Sequence, residues 1–251
     1  MAIDLKELTR PELPGSPGPS KTKRITPFRV LLAAAAGLVT AFVAVYAFFF
    51  TPDSPPELAL STGSGAQPAA GVPAGDWSVG TGSVAGYRVR EKLLRLPASN
   101  DAVGRTGAVT GSFRLVPDGS GYVVRSGMRI DVDLTTLKSD EDRRDDHMRT
   151  MAIETDRFPT ATFLTTSDLV VPADGSSTAR PLMRGELTLH GVTRTVDVPV
   201  QARYDGARVE VVGTLSFPWD MFEMERPNLS YVTVEADPTM EFQLFFDHTA
   251  P

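Results

Sequence analysis

The chain contains no cysteine, which excludes both a disulfide framework and a thiolate metal site. Histidine is nearly as scarce: His147, His190 and His248 are the only three, and no two of them have the spacing of a zinc site. No Gly-x-Ser-x-Gly elbow occurs, and no glycine-rich phosphate loop precedes a helix. A net positive balance is missing from most of the sequence. Residues 1–29 carry six Lys or Arg against three Asp or Glu, a net of +3, so the remainder accounts for −9 of the overall −6. A surface of that sign repels phosphate backbones and argues against nucleic acid as a partner.

Charge of either sign is absent from Val30 to Phe50. A helix needs roughly 20 apolar residues to cross the hydrocarbon core, and this run supplies them. It ends in Phe48-Phe49-Phe50, unlike the small residues of a signal-peptidase site, so it is read as an uncleaved transmembrane helix. Lys21, Lys23, Arg24 and Arg29 precede it, whereas Asp53 and Glu57 follow. The positive-inside rule then predicts a cytoplasmic tail over 1–29, a span over 30–50 and an extracytoplasmic remainder, a single-pass arrangement in the cell membrane. The tail, broken by Pro11, Pro14, Pro17 and Pro19, is too polar to fold. Residues 51–75, with five prolines and four glycines, are predicted to be a flexible linker that lets the outer domain reorient.

From Asp76 to the end the hydrophobic period is two, and 76–251 is predicted to be one β domain. Strands are expected over Ser83–Val89, Thr106–Val116, Tyr122–Leu134, Thr160–Val171, Leu182–His190, Thr193–Tyr204, Ala207–Phe217 and Thr239–Asp247. Pro117-Asp118-Gly119-Ser120-Gly121, His190-Gly191 and Asp205-Gly206 mark tight turns. Eight strands joined mostly by short connections are antiparallel neighbours, and a barrel fits them better than a sandwich. One helix interrupts them. Ser139 is its expected N-cap, Asp140, Glu141 and Asp142 complement its dipole, and Met148, Met151 and Ala152 form its apolar stripe. Pro159 ends it.

Three segments in order resemble the YceI-like family. Arg144-Asp145-Asp146-His147-Met148 looks like its Arg-Asp-x-His helix. Arg157-Phe158-Pro159-Thr160-Ala161-Thr162-Phe163 is similar to the start of its following strand, and Gly185-Glu186-Leu187-Thr188-Leu189-His190-Gly191-Val192-Thr193 to its Gly-x-Leu-Thr hairpin. The resemblance covers about Asp76 to Asp247. It implies an antiparallel eight-stranded, lipocalin-like barrel with one short helix, whose lumen holds a polyisoprenoid or isoprenoid-quinone lipid without chemistry. The chain departs from the family pattern at Tyr87 and Glu91, where Phe and His are usual, and at Thr195, where Pro is usual.

Alternation places Tyr87, Val89, Phe113, Met128, Ile130, Phe163, Leu187, Leu189, Val198, Val211, Phe217, Phe242 and Leu244 inward. None is charged, so these residues suit an isoprenoid chain. The same pattern equally fits a barrel filled by its own side chains, acting as a tethered protein-interaction module. Arg144, Asp145, His147 and Met148 are assigned to a structural helix lid, with His147 capping strand carbonyls. An enzyme using the Arg144–His147 cluster is the less favoured reading, because Asp146 with Arg149 and Asp140 with Arg144 have the spacing of surface ion pairs. Trp219, Met221, Phe222 and Met224 are expected to form an exposed rim, a ligand entrance or a plug. No metal, cofactor or catalytic residue is expected. The partners expected are an isoprenoid lipid and the bilayer, with a homodimer left open.

Overall fold

The computed structural model describes residues 54–61, 71–93, 99–119, 121–172, 178–229 and 232–249. The tail and the span expected over 30–50 lie outside these residues. Among the described residues no helix is long and apolar enough to cross a membrane.

A closed antiparallel ring of eight strands forms the body. β1 (Gly75–Val79) pairs with β4 (Val109–Asp118), which pairs with β6 (Arg129–Asp133), and β6 pairs with β7 (Thr160–Thr165). The ring continues through β9 (Leu182–Leu189), β10 (Val192–Tyr204) and β11 (Arg208–Ser216) to β14 (Thr239–Thr249), which returns to β1. Closure leaves no free edge in the ring itself.

Several strands expected to be continuous are broken. β14 pairs with β1 through Phe246–Thr249 and with β2 (Val84–Leu93) through Thr239–Gln243. The chain shifts from one to the other at Gly80–Ser83, where Gly82 has φ +86°. Ser83 Oγ stitches this break, donating to Gly80 O at 2.8 Å and accepting from Phe245 N at 2.9 Å. The stretch expected as Tyr122–Leu134 divides into β5 (Gly121–Val124) and β6 around Gly127, and Thr160–Val171 divides into β7 and β8 (Leu169–Pro172). β3 (Ser99–Thr106), paired with β2, was not anticipated, because Gly104 and the polar residues of Ser-Asn-Asp disguise its alternation. The expected strand over Thr106–Val116 is therefore β4 alone. A short hairpin, β12 (Asn228–Leu229) and β13 (Val232–Val234), flanks β2.

The helix is shorter than its composition suggests. α1 (Asp142–His147) gives way to a wider π turn over Met148–Ala152. Its N-cap is Glu141, whose carboxylate accepts from Arg143 N, and not Ser139. Ser139 instead gives both its N–H and its hydroxyl to Asp145, at 2.9 and 2.7 Å. The widened turn rotates the expected apolar stripe, so Met148 and Ala152 are buried but Met151 is 64% exposed. The expected pairs Arg144–Asp140 and Arg149–Asp146 both form.

Residues 54–61, read from the sequence as flexible linker, are a strap against the outer wall. Ser54 Oγ donates to Asp101 O, Arg88 and Arg105 donate to the carbonyls of Pro55 and Pro56 at 2.8 and 2.6 Å, and Gln243 donates to Ala59 O at 3.1 Å. Ser61 then donates from both N and Oγ to Glu210, each at 2.8 Å. Prolines carry no N–H, so at Pro55 and Pro56 the strap offers only acceptors, which matches a wall rich in guanidinium donors. Outward-facing Glu241 is 1% exposed beneath it and is held by Arg105 at 2.7 Å and Arg88 at 3.2 Å.

Candidate functional site

The interior of the ring is hollow in two adjoining places. The larger chamber has a volume of about 160 Å³. A single water needs roughly 10–15 Å³ on this measure, and close-packed interiors hold few voids larger than one water. The void is therefore a feature of the fold and not a packing fault. Phe113, Met128, Ile130, Phe163, Leu187, Val198, Val211, Phe242 and Leu244 all line it, as alternation along their strands requires. A smaller chamber of about 70 Å³ lies toward α1 and is lined by Tyr87, Leu189 and Phe217 with Met148 and Ile153. Ala85, Val132, Ala161 and Met240 line both, so these four residues stand between the chambers.

Val89 departs from the expected set. It is buried but lines neither chamber. The pairing of β2 with β14 ends at Arg88, and beyond it β2 is flanked by β3 and β13, off the ring. Val89 therefore packs under that flap.

The lumen offers few polar groups. Arg203 is the only charged residue lining the larger chamber. It stands opposite Glu210 across the β10–β11 ladder, and its Nη2 donates to Glu210 at 2.8 Å and to Ser61 O at 2.6 Å, on the strap side of the wall. Tyr204 Oη is spent on Gly206 O at 2.8 Å. In the smaller chamber Tyr87 Oη is buried without a hydrogen-bond partner, and that burial pushes its phenol pKa up. Its hydroxyl stays protonated and neutral. Such a lining can dissolve hydrocarbon. Among the described residues no group of three or more His, Asp or Glu is placed to hold a metal.

One end of the lumen is closed by three elements. Met148 and Ile153 come from α1 and its π turn, and Leu134 and Leu137 from the bend after β6. Trp219 and Met224 come from a 3₁₀ turn over Trp219–Phe222 and the residues after it. The expected exposed rim is thus an internal plug: Trp219, Phe222 and Met224 are buried, and Trp219 Nε1 donates to Glu235 O at 3.0 Å. Arg144 anchors the lid to β2 through Glu91 at 3.4 Å, at one of the positions where the chain departs from the family pattern. His147 does not cap strand carbonyls. The histidine that meets a backbone carbonyl at this end is His190, read from the sequence as a turn residue, which reaches Phe222 O in the 3₁₀ turn at 3.1 Å.

The ring of eight strands around an apolar lumen, with a helix over one end, defines a lipocalin-like barrel. The chain belongs to the YceI-like domain family, whose model matches residues 82–246. Several solved structures are similar to the chain. A polyisoprenoid binding domain from Saccharophagus degradans, implicated in plant cell wall breakdown, aligns at 18% identity over 70% of this chain and 100% of that one, with a TM-score of 0.50. BcnA from Burkholderia cenocepacia aligns at 18% identity over 64% of this chain and 95% of its own, with a TM-score of 0.47. The YCEI protein from Campylobacter jejuni aligns at 14% identity over 63% and 91%, with a TM-score of 0.46. No curated protein sequence matches the chain.

Proposed function

We propose that the protein is a membrane-tethered extracytoplasmic binding protein that holds a polyisoprenoid or isoprenoid-quinone lipid in the barrel. The single observation that carries this reading is the pair of apolar chambers that share the lining residues Ala85, Val132, Ala161 and Met240. A hydrocarbon chain gains up to ~0.8 kcal/mol for each CH₂ it buries, before the cost of ordering, so a few isoprene units supply useful affinity without any polar contact. The polyisoprenoid binding domain from Saccharophagus degradans, which shares the fold, supports the same class of cargo. Tethering rests on the uncharged run Val30–Phe50 and the basic residues ahead of it. A cargo so insoluble exchanges with a nearby bilayer more readily than through water. No residue of the barrel is assigned a catalytic role.

The test is mass spectrometry of lipid extracted with organic solvent from the purified full-length chain. A stoichiometric isoprenoid supports the reading. An extract without isoprenoid, from protein expressed in a host that makes long-chain quinones, overturns it.

A further inference from the structure

His190 sits at the tip of the β9–β10 hairpin, between the two pieces that close the lumen. Its Nδ1 lies 3.1 Å from the carbonyl oxygen of Phe222, in the plug. Its Nε2 lies 2.7 Å from Glu154 Oε2, just beyond the π turn of the lid. A carbonyl oxygen accepts hydrogen bonds and cannot donate them. An ionised carboxylate is likewise an acceptor only, and Glu154 is kept ionised by Arg157, 2.6 Å away on its other oxygen. Arg157 is first, and His190 second, among the groups that hold the Glu154 carboxyl below its usual range. An imidazole facing two acceptors satisfies both only when both ring nitrogens carry protons.

The backbone at this point is unusual too. Among the described residues, three that are not glycine have positive φ: Glu154 at +53°, His190 at +52° and Glu223 at +56°. All three meet here, since Glu223 directly follows the Phe222 carbonyl. Left-handed backbone at non-glycine residues is costly and persists where surrounding contacts hold it. The contact these three segments share is the imidazole. Phe158 packs against its ring at 4.4 Å between centroids, and Arg157 lies over Phe158. Glu154, with Arg157 behind it, is the only charged group among the described residues that touches the ring.

We infer that His190, as an imidazolium, is a proton-dependent clasp that fastens the lid to the plug over the closed end of the lumen. With the proton present, one ring ties Glu154 and Phe222 together and holds three strained turns in place. When the proton leaves, one contact loses its donor, the charge pairing with Glu154 disappears, and the strained segments are released. The lid then opens more often. The inference concerns the lid alone and stands whether or not an isoprenoid is the cargo.

The experiment uses the full-length chain without added lipid. Long-range proton–nitrogen spectra of the histidine rings report the protonation of His190 directly. Hydrogen exchange at the Met148–Glu154 amides, expressed as protection relative to the unfolded rate, reports lid opening from pH 5 to pH 9. Both His190 nitrogens should be protonated at the acidic end. Lid protection should fall about tenfold as the ring deprotonates, the loss expected for one charge-assisted hydrogen bond, while protection in β10 and β11 stays constant. Glu154→Gln replaces the acceptor-only carboxylate with an amide that can also donate, and should flatten the step, whereas His147→Gln should leave it unchanged. A singly protonated His190 at the acidic end, or lid protection that does not vary with pH, would overturn the clasp.

Discussion

Glu210 lies on the outward face of β11 and is nevertheless only 4% exposed, because Ser61 donates to it twice, from its N–H and its hydroxyl, at 2.8 Å. Arg203 and Gln243 complete its shell at 2.8 and 2.6 Å. Burial pushes this carboxyl up, but the bonds from Ser61, Gln243 and Arg203 outweigh it and hold the pKa below the usual glutamate value. A group depressed in this way contributes fully above its unfolded value, about 4.3, and its contribution is lost as pH falls through the folded value. Docking of the strap should therefore be constant from about pH 5 upward and weaken progressively as pH falls below the usual glutamate range. Proteolysis within 54–61, followed across that range, measures it.

The same contacts set where the chain tolerates shortening. Deleting residues 1–53 keeps the whole strap and should leave the barrel's denaturation midpoint unchanged. Deleting 1–75 uncovers Glu210 and Glu241 and should lower stability measurably. Glu210→Gln, which leaves Arg203 without its anion, is expected to cost about 3 kcal/mol in urea denaturation.

Ala161 lines both chambers, so Ala161→Phe should fill part of the lumen between them. Overpacking should cost about 1–3 kcal/mol. If the lumen carries an isoprenoid, lipid extracted from this variant should be lost or shifted to shorter chains. An unchanged chain-length distribution would place the cargo elsewhere.

Gly191 has φ +74°, and a methyl group added there would come within 2.7 Å of Phe158 Cε1. Gly119 has φ +53° but open space around it. Gly191→Ala and Gly119→Ala share the backbone penalty, roughly 1 kcal/mol. The excess loss in Gly191→Ala, read from thermal unfolding, isolates the clash beneath the clasp.

Arg144 and Glu91 tie the lid to β2, with side chains 16% and 21% exposed. A double-mutant cycle with Arg144→Ala and Glu91→Ala should give a coupling of about 0.5–1 kcal/mol, larger in low salt than in high. A coupling of zero would mean that this ion pair does not help to seat the lid.

Most of the barrel is visible in the alternation of its strands. Leu182–Leu189 and Thr239–Thr249 show one apolar face each, and Phe113, Ile130, Leu187 and Phe242 reach the lumen as period two demands. The breaks are not visible, because they depend on pairing with distant strands: only β14 reveals that β1 and β2 divide one edge between them. Glu210 and Glu241 look like solvated residues, since their burial comes from a strap more than 140 positions away in the chain. Proline and small residues in 54–61 signal a tether, and nothing local shows that Arg88 and Arg105 will seize its carbonyls. His190 was legible as a turn. Its double contact was not, because Phe222 and Glu154 lie 32 and 36 residues from it in opposite directions.

Ala85, Val132, Ala161 and Met240 face both chambers, so a change of side-chain size at any one of them is felt on both sides at once. The two voids are thus not independent: what is added to one wall is taken from its neighbour.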